Sequence, residues 1–384
     1  KNKCLRTFVD FRTDGKTPRE DSGVESVRQP GDERFIVAGC EKGAADDKDA
    51  LRSIVASLKA TRKSNPDLIK EASMGVWKSF EPESVADPEP KRAYRPATRR
   101  RRNLMRRRSH LRIGIPRILG MYQHAPFFSS YFESLGIEHE NLVYSDYTTD
   151  ELYREGTRRG AIDPCFPAKV VISHIHNLIQ KQIDGAKLDI IFAPMLDSHH
   201  SPIRNTEAAN ACSTVIAAPQ TARAMLTKEK DIFDENGIEY LYPILDMNDG
   251  KYLERQMYDA FGGVFGLGKG EKERAVREGF KALNEWDRHI RGRGREVIDI
   301  LEKEKRLGVV MLGRAYHNDP GLNHGIFEEF QKLGYPVLSQ DTLPMDGFTL
   351  DRLFGDEVND GIIEHPLDVS DVWKHAYIAS TAMK

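Results

Sequence analysis

The sequence predicts an α/β fold made of Rossmann-like, doubly wound parallel sheets. Short apolar runs of strand length alternate with segments of helical periodicity from about residue 111 onward. The run at 188–194 is apolar apart from Asp189, as expected for a strand covered by helices on both faces. Gly136 and Gly334 follow predicted helices, where a glycine cap is common. This β-α-β-α order favours a parallel sheet with helices on both sides.

The individual elements follow from local patterns of apolar and turn-forming residues. Predicted strands cover 6–11, 34–38, 111–115, 142–144, 188–194, 213–217, 238–242, 307–312 and 336–338. Predicted helices cover 49–62, 122–135, 169–182, 219–226, 271–305 and 323–333, with one more from residue 149. In the longest helix, Gly292 and Gly294 predict a break or a kink, because glycine weakens a helix interior.

The order of these elements divides the chain into five segments. They are a small α+β segment that carries cysteines (1–63), a connector rich in proline and arginine (64–110), a first Rossmann-like lobe (111–265), a long helical connection (266–306) and a second, incomplete lobe (307–384). Prolines and arginines oppose burial, so we expect the connector to pack weakly and to form no part of a sheet. The start without methionine and the short second lobe lead us to expect a fragment of a longer chain.

Composition excludes several classes of protein. Lys and Arg number 57 against 59 Asp and Glu, and the net charge of −2 excludes a protein that coats nucleic acid through overall positive charge. No apolar run reaches the roughly 18 to 20 residues of a membrane helix, and the polar start does not match a secretory signal. The four cysteines are too dispersed for a disulfide scaffold. We therefore expect a cytoplasmic protein with reduced thiols.

A basic run in the connector allows two interpretations. Eight arginines lie between Arg99 and Arg112, a density that could bind RNA or another anionic partner. The alternative is a solvent-exposed basic helix that leads into the next lobe. No aromatic residues are interleaved with the arginines to stack on bases, so the second interpretation is favoured and nucleic acid is not the expected partner.

Two cysteines are candidate ligands in the first lobe. Cys165 precedes a predicted helix, whose N-terminus stabilises a thiolate, and Cys212 precedes the strand-like run at 213–217. Loops at the carboxyl ends of parallel strands converge on one crevice, so we expect both thiols to face it. Two thiolates there could hold zinc or an iron–sulfur cluster, and His199 and His200 could complete a zinc site. The alternatives are buried structural thiols and a surface-exposed histidine pair.

A loop in the second lobe is the other candidate. The stretch Gly313–Pro320 follows a predicted buried strand and contains Arg314 and His317. An anion could bind Arg314 and the N-terminus of the following helix, although the Asn-Asp-Pro-Gly sequence is also that of a simple turn. The chain has no phosphate-binding loop of the GxxxxGK[ST] type and no GxGxxG after a strand, so it does not itself predict a nucleotide site.

Three motifs occur in the order found in one known family. They are Arg112–Arg117 followed by Met121-Tyr122, Cys165–Lys169, and Gly313–Pro320. The chain resembles the 2-hydroxyacyl-CoA dehydratase activase-related proteins, whose DUF2229 region is similar to 2-hydroxyglutaryl-CoA dehydratase subunits and to double-cubane cluster proteins. The resemblance extends from Cys4 to the end of the sequence.

This resemblance implies anaerobic electron-transfer chemistry. In such proteins an ATP-binding activase module injects a low-potential electron into a [4Fe–4S] or double-cubane cluster. The module is expected outside this sequence, in the same full-length chain or in a separate one, and an acyl-CoA is the implied substrate class. The alternatives that remain open are a structural zinc-binding or scaffold module and an RNA-associated protein that uses Arg99–Arg112.

The resemblance also implies roles for particular residues. Cys165 and Cys212 match cluster-binding cysteines, although Ser213 replaces the proline that usually follows the second one. Arg314 and His317 are expected to contact the cofactor. Two further cysteines, Cys4 and Cys40, match an N-terminal cysteine pair and are additional candidate metal ligands. A third ligand is expected from the second lobe, beyond Lys384.

Overall fold

The computed structural model describes residues 6–12, 32–38, 45, 47–159, 165–200 and 210–361. The chain divides into two compact units, Lys1–Pro66 with Gln331–Gly334, and Asp67–Phe330 with Tyr335–Lys384. In the first unit, β1 (Arg6–Arg12) pairs antiparallel with β2 (Asp32–Ala38). The helix α1 (Lys48–Ser64) follows, capped by the side chain of Asp47. The boundaries predicted within the second unit stay predictions.

The second unit contains the parallel sheets. Its strands are β3 (Ile113–Ile115), β4 (Leu142–Tyr144), β5 (Ile190–Phe192), β6 (Met195–Ser198), β7 (Glu239–Leu241), β8 (Ile244–Asp246), β9 (Val309–Met311) and β10 (Val337–Ser339). Its helices are α2 (Leu68–Gly75), α3 (Pro96–Arg107), α4 (Met121–Ser134), α5 (Asp150–Gly156), α6 (Phe166–Lys181), α7 (Ser213–Leu226), α8 (Ile232–Glu235), α9 (Gly250–Phe265), α10 (Lys269–Glu304), α11 (Ile326–Lys332, of which Gln331 and Lys332 belong to the first unit) and α12 (Gly347–Asn359).

The central sheet has the strand order β4-β3-β5-β7, and every pairing in it is parallel. The chain leaves β3 toward β4 and then crosses to the other side of β3 to form β5, which is the reversal that defines a doubly wound sheet. Helices cover both faces because each crossover between parallel strands needs one. This arrangement confirms the predicted Rossmann-like α/β fold.

A proline interrupts each of two neighbouring strands, but the chain segments beyond the prolines still pair with each other. Pro194 separates β5 from β6, and Pro243 separates β7 from β8. Proline cannot donate to the ladder, yet β6 and β8 continue side by side in parallel. The Met195 N–H bridges the gap by donating to the Pro243 carbonyl at 2.9 Å. The carboxyl edge of the sheet is thereby extended beyond β5 and β7.

The core lies between α4, the central sheet and the two helices α9 and α10. Four aromatic side chains of α4 are completely buried, namely Phe127, Phe128, Tyr131 and Phe132. Phe132 packs edge-on against Phe192 of β5, with ring centroids 5.5 Å apart. No helix in the part of the chain that the structure describes combines the length and apolarity that crossing a membrane requires.

The long helix α10 runs without a break, so the interruption predicted at Gly292 and Gly294 is wrong. The glycines have different surroundings. A Cβ atom at Gly294 would overlap the backbone carbonyl of Thr342, whereas a Cβ at Gly292 would meet nothing within 4 Å. Gly294 therefore allows close approach of the 3₁₀ helix Gln340–Thr342 to α10, which offsets the poor helix propensity of glycine.

The expected weak packing of residues 64–110 is also wrong. Leu68, Ile69, Val76 and Trp77 are almost fully buried, and α2 packs against both β10 and α10. Even in the basic run, Arg108 is only 2% exposed. The segment has few apolar residues, but Leu68, Ile69, Val76 and Trp77 among them face the core.

A buried ion pair fixes the end of the basic helix α3. Arg108 Nη1 donates to Glu271 Oε1 at 2.8 Å, and Arg101 donates to Glu271 Oε2 at 3.1 Å. Glu271 also accepts from the backbone N–H groups of Asp87 and Gly268. Burial opposes ionisation, but these donors outweigh it and lower the pKa of Glu271 to about 2.

Alanine at position 294 should destabilise the protein, whereas alanine at position 292 should stabilise it. Gly294→Ala forces α10 away from the Thr342 carbonyl, and we expect a loss of about 2 kcal/mol or more. Gly292→Ala has room and should gain up to about 1 kcal/mol in helix propensity. Urea unfolding of both variants measures these changes. Equal effects of the two substitutions would contradict the close approach.

Stability should depend on pH through Glu271. Its folded-state pKa lies below the usual value of 4.5, so the stabilisation is present above pH 4.5 and is lost as pH falls toward 2. The shift corresponds to about 3 kcal/mol. Glu271→Gln should therefore unfold more easily than wild type at pH 6, and the difference should shrink at pH 3. The exposed neighbour Glu273→Gln is the control and should change stability little at either pH.

Candidate functional site

Both described cysteines are N-caps of helices. Cys165 precedes α6 and is half-buried, and Cys212 precedes α7 and is exposed. The strand predicted at 213–217 is wrong, because α7 begins at Ser213. The helices α6 and α7 pack against each other. Each cysteine thus stands at the positive end of a helix dipole, where a thiolate is stabilised.

The surroundings of Cys212 activate its thiol. The backbone N–H groups of Thr214 and Val215 lower its pKa, and the guanidinium of Arg314 contributes in the same direction. Arg314 belongs to the candidate loop of the second lobe. The structure therefore brings Cys212 and Arg314, which are a hundred residues apart in the sequence, into electrostatic contact.

Tyr316 belongs to the same loop as Arg314. Burial is the main reason why the pKa of Tyr316 is raised, and negative charge on Cys165 and on Cys212 adds to it. Tyr316 therefore lies near both thiols. Tyr316 lies in the 3₁₀ helix Ala315–Asn318, one turn after β9.

His317 has a structural role within the loop. Its Nδ1 accepts the backbone N–H of Arg314 at 2.9 Å, and its ring packs against Tyr316 with centroids 4.7 Å apart. Gln340 holds the start of the loop, where its Oε1 accepts the Gly313 N–H at 3.0 Å. These contacts fix the backbone from which Arg314 and Tyr316 project.

A buried chain of hydrogen bonds ties this loop to the carboxyl edge of the central sheet. Thr148 Oγ1 donates to the carboxylate of Asp319 and lies 2.9 Å from His174 Nε2. His174 Nδ1 lies 2.7 Å from Ser145 Oγ, and Ser145 Oγ accepts the backbone N–H of Arg117. All of these side chains except Arg117 are buried, so the chain links α6 to the loop of the second lobe without water.

The direction of this chain follows from counting protons. The hydroxyl proton of Thr148 goes to Asp319, so His174 must donate from Nε2 to Thr148 Oγ1. His174 Nδ1 is then an acceptor for the Ser145 hydroxyl. This neutral tautomer agrees with burial, which lowers the pKa of His174 to about 3.

Sequence reasoning missed His174, Thr148 and Ser145. His174 stands among apolar residues of α6 and gives no sign of a polar role. Ser145 directly follows β4, at the carboxyl end of a parallel strand, and this position was the available signal. Arg117, which follows β3, is held over the ring of Tyr147 at 4.4 Å.

The predicted histidine pair is partly buried, so its surface exposure is wrong. His199 Nδ1 lies 3.0 Å from His124 Nε2, and the two rings are stacked. Burial and Arg314 lower the pKa of His199 to about 4, so it is neutral at physiological pH. The backbone carbonyl of His200 accepts from Gln123.

The described residues contain no group of three or more His, Cys, Asp and Glu side chains placed to hold a metal ion. Cys165 and Cys212 are therefore two candidate ligands without a third in this part of the chain. The candidate ligands Cys4 and Cys40 lie outside the described residues.

Removing the charge of Arg314 should raise the pKa of the Cys212 thiol. In a background where the other cysteines are serine, Arg314→Gln should slow alkylation of Cys212 by iodoacetamide by about twofold or more at pH 7. The pH dependence of the rate measures the pKa directly. Arg288→Gln, an exposed arginine of α10, is the matched control and should leave the rate unchanged. An unchanged pH profile in Arg314→Gln would contradict the contact.

Comparison with known proteins identifies the domain. The model of the family described as CoA enzyme activase uncharacterised domain (DUF2229) matches residues 112–343, which is more than half of the chain. The match contains Cys165, Cys212 and the loop with Arg314, and it ends at the 3₁₀ turn after β10. No curated protein and no solved structure matches the chain. The chain belongs to the CoA enzyme activase domain family DUF2229.

Proposed function

We propose that this protein takes part in ATP-driven, low-potential electron transfer through an iron–sulfur cluster bound in part by Cys165 and Cys212. The system would be of the 2-hydroxyacyl-CoA dehydratase or activase type, in keeping with the family. The observation that carries the proposal is the position of both thiols at the N-termini of two packed helices, with Tyr316 as a shared neighbour.

The donor chemistry fits an iron–sulfur cluster. Thiolates are the ligands such clusters use, and two helix dipoles stabilise the negative charge of a thiolate-bound cluster. Arg314 adds a full positive charge beside Cys212. Positive charge and N–H groups around the sulfur atoms raise the reduction potential, so they determine how readily an electron is accepted.

The number of donors requires ligands from elsewhere. A [4Fe–4S] cluster normally has three or four thiolates. Cys165 and Cys212 supply two, and no described histidine or carboxylate completes a group of three with them. His199 uses Nδ1 for its contact with His124. The proposal therefore assigns the remaining ligands to groups outside the described residues.

The chain's own residues would bind and orient the group. A bound cluster would supply one-electron transfer at low potential. The hydrogen-bonded chain from Ser145 to Asp319 anchors the loop that carries Arg314 and Tyr316. The partners in this proposal are an ATP-binding activase module and an acyl-CoA-dependent dehydratase, in the cytoplasm.

A structural zinc site is the second candidate. Zinc also binds thiolates, and the same pair of cysteines could contribute to it. The two functions differ in the metal that the purified protein carries.

Serine at either cysteine should remove the cluster. The full-length protein, purified or reconstituted without oxygen, should contain iron and sulfide and should absorb at about 400 nm. Cys165→Ser and Cys212→Ser should each lose most of this iron, because serine is a poor ligand for it. Ser213→Ala, beside Cys212, is the control and should retain it. Zinc in place of iron would support the second candidate, and iron content unchanged in both serine variants would refute the assignment.

A further inference from the structure

The start of α3 carries a cluster of exposed cations. Arg92, Arg95, Arg99 and Arg100 are exposed, and we call them the arginine patch. Within the described part of the chain, no carboxylate lies in ion-pair distance of any of the four. Residues 91–112 contain no Asp or Glu at all. The patch is therefore a local concentration of positive charge on a chain whose net charge is −2.

Four of the other arginines of the run already have carboxylate partners. Arg101 and Arg108 bind Glu271, Arg106 binds Glu89, and Arg107 approaches Asp189. All of these partners are carboxylates. The basic run is thus divided into arginines that attach α3 to the rest of the protein and arginines that remain available on its outer surface.

The arginine patch lowers the stability of α3 at its N-terminus. Arg95 is the N-cap of α3 and makes no capping hydrogen bond, and the first turn has no acidic residue. Cations near a helix N-terminus oppose the helix dipole, and Arg95 and Arg99 repel each other across one turn. An anion bound to the patch would relieve both effects.

We propose that the arginine patch is a docking surface for an acidic segment of a partner protein. The negative charge of an acidic segment complements the patch, and Arg101, Arg106 and Arg108 show that arginines of this run bind carboxylates. A nucleic acid fits the patch less well. Base stacking also requires aromatic side chains, and Tyr94 is the one Phe, Tyr or Trp among residues 91–112.

The patch is separate from the cysteine site. The helix α3 leads into the amino end of β3, whereas Cys212 and Arg117 follow the carboxyl ends of strands. Docking at the patch would leave the cysteines accessible. The proposal therefore does not depend on the proposed electron-transfer function.

A binding experiment with a defined acidic probe tests the proposal. Fluorescein-labelled decaglutamate should bind the protein at low salt, and binding should weaken as salt is raised. Replacing three patch residues, Arg95→Gln, Arg99→Gln and Arg100→Gln, should weaken binding about tenfold. The control replaces three exposed arginines of α9 and α10, Arg255→Gln, Arg277→Gln and Arg288→Gln, and should change binding less than twofold. Equal losses in the two triple variants would overturn the proposal.

A second probe separates the two classes of partner, and thermal unfolding checks the fold. A 20-nucleotide oligouridylate should bind more weakly than decaglutamate at the same salt, and tighter binding of the RNA would overturn the assignment to a protein partner. The patch variant should have an unchanged or higher melting temperature, because it removes repulsion at the start of α3. A lower melting temperature would show that the patch stabilises the fold and would contradict the proposal.

Discussion

The buried chain of hydrogen bonds from Ser145 through His174 and Thr148 to Asp319 is the contact on which the site depends. It joins the carboxyl edge of the central sheet to the loop after β9. Each member uses its protons completely, so the loss of any one leaves a buried polar group without a partner, at a cost of about 1–3 kcal/mol. Because α6 contains His174, the same chain sets the position of that loop relative to the helix that starts after Cys165.

The electrostatic potential at the two cysteines is as important to the site as the thiols themselves. Two helix N-termini and Arg314 direct positive potential at the thiols, while His174 and His199 are kept neutral by burial. A protonated histidine here would be repelled by Arg314 and would also pay a desolvation penalty, so the positive charge comes from the arginine and the helix N-termini. The environment is therefore suited to an anionic group at the cysteines. This property agrees with an iron–sulfur cluster and does not depend on which further ligands complete it.

Arginine performs two different tasks in this protein. Where it is buried, as at Arg108, its planar fork satisfies a carboxylate and the backbone carbonyls of Leu135, Phe265 and Gly266, and thereby attaches one helix to another. Where it is exposed, as at Arg99, it leaves the surface positively charged. A sequence run of arginines gives no indication of this division, because it depends on which side of α3 faces Glu271 and α9.

The sequence by itself determined the α/β class, most strand and helix positions and the two described cysteines, because periodicity and capping are local properties. It did not determine that α10 runs through Gly294, because a close contact with the Thr342 backbone decides this. Nor did it determine that α7 begins at Ser213, because the β propensity of residues 213–217 predicts a strand there. Nor did it identify Thr148, His174 and Asp319 as one unit. Their contacts join residues 26 and 171 positions apart. Only the folded chain brings such groups into the same water-free space, where hydrogen bonds between them become strong enough to fix the site.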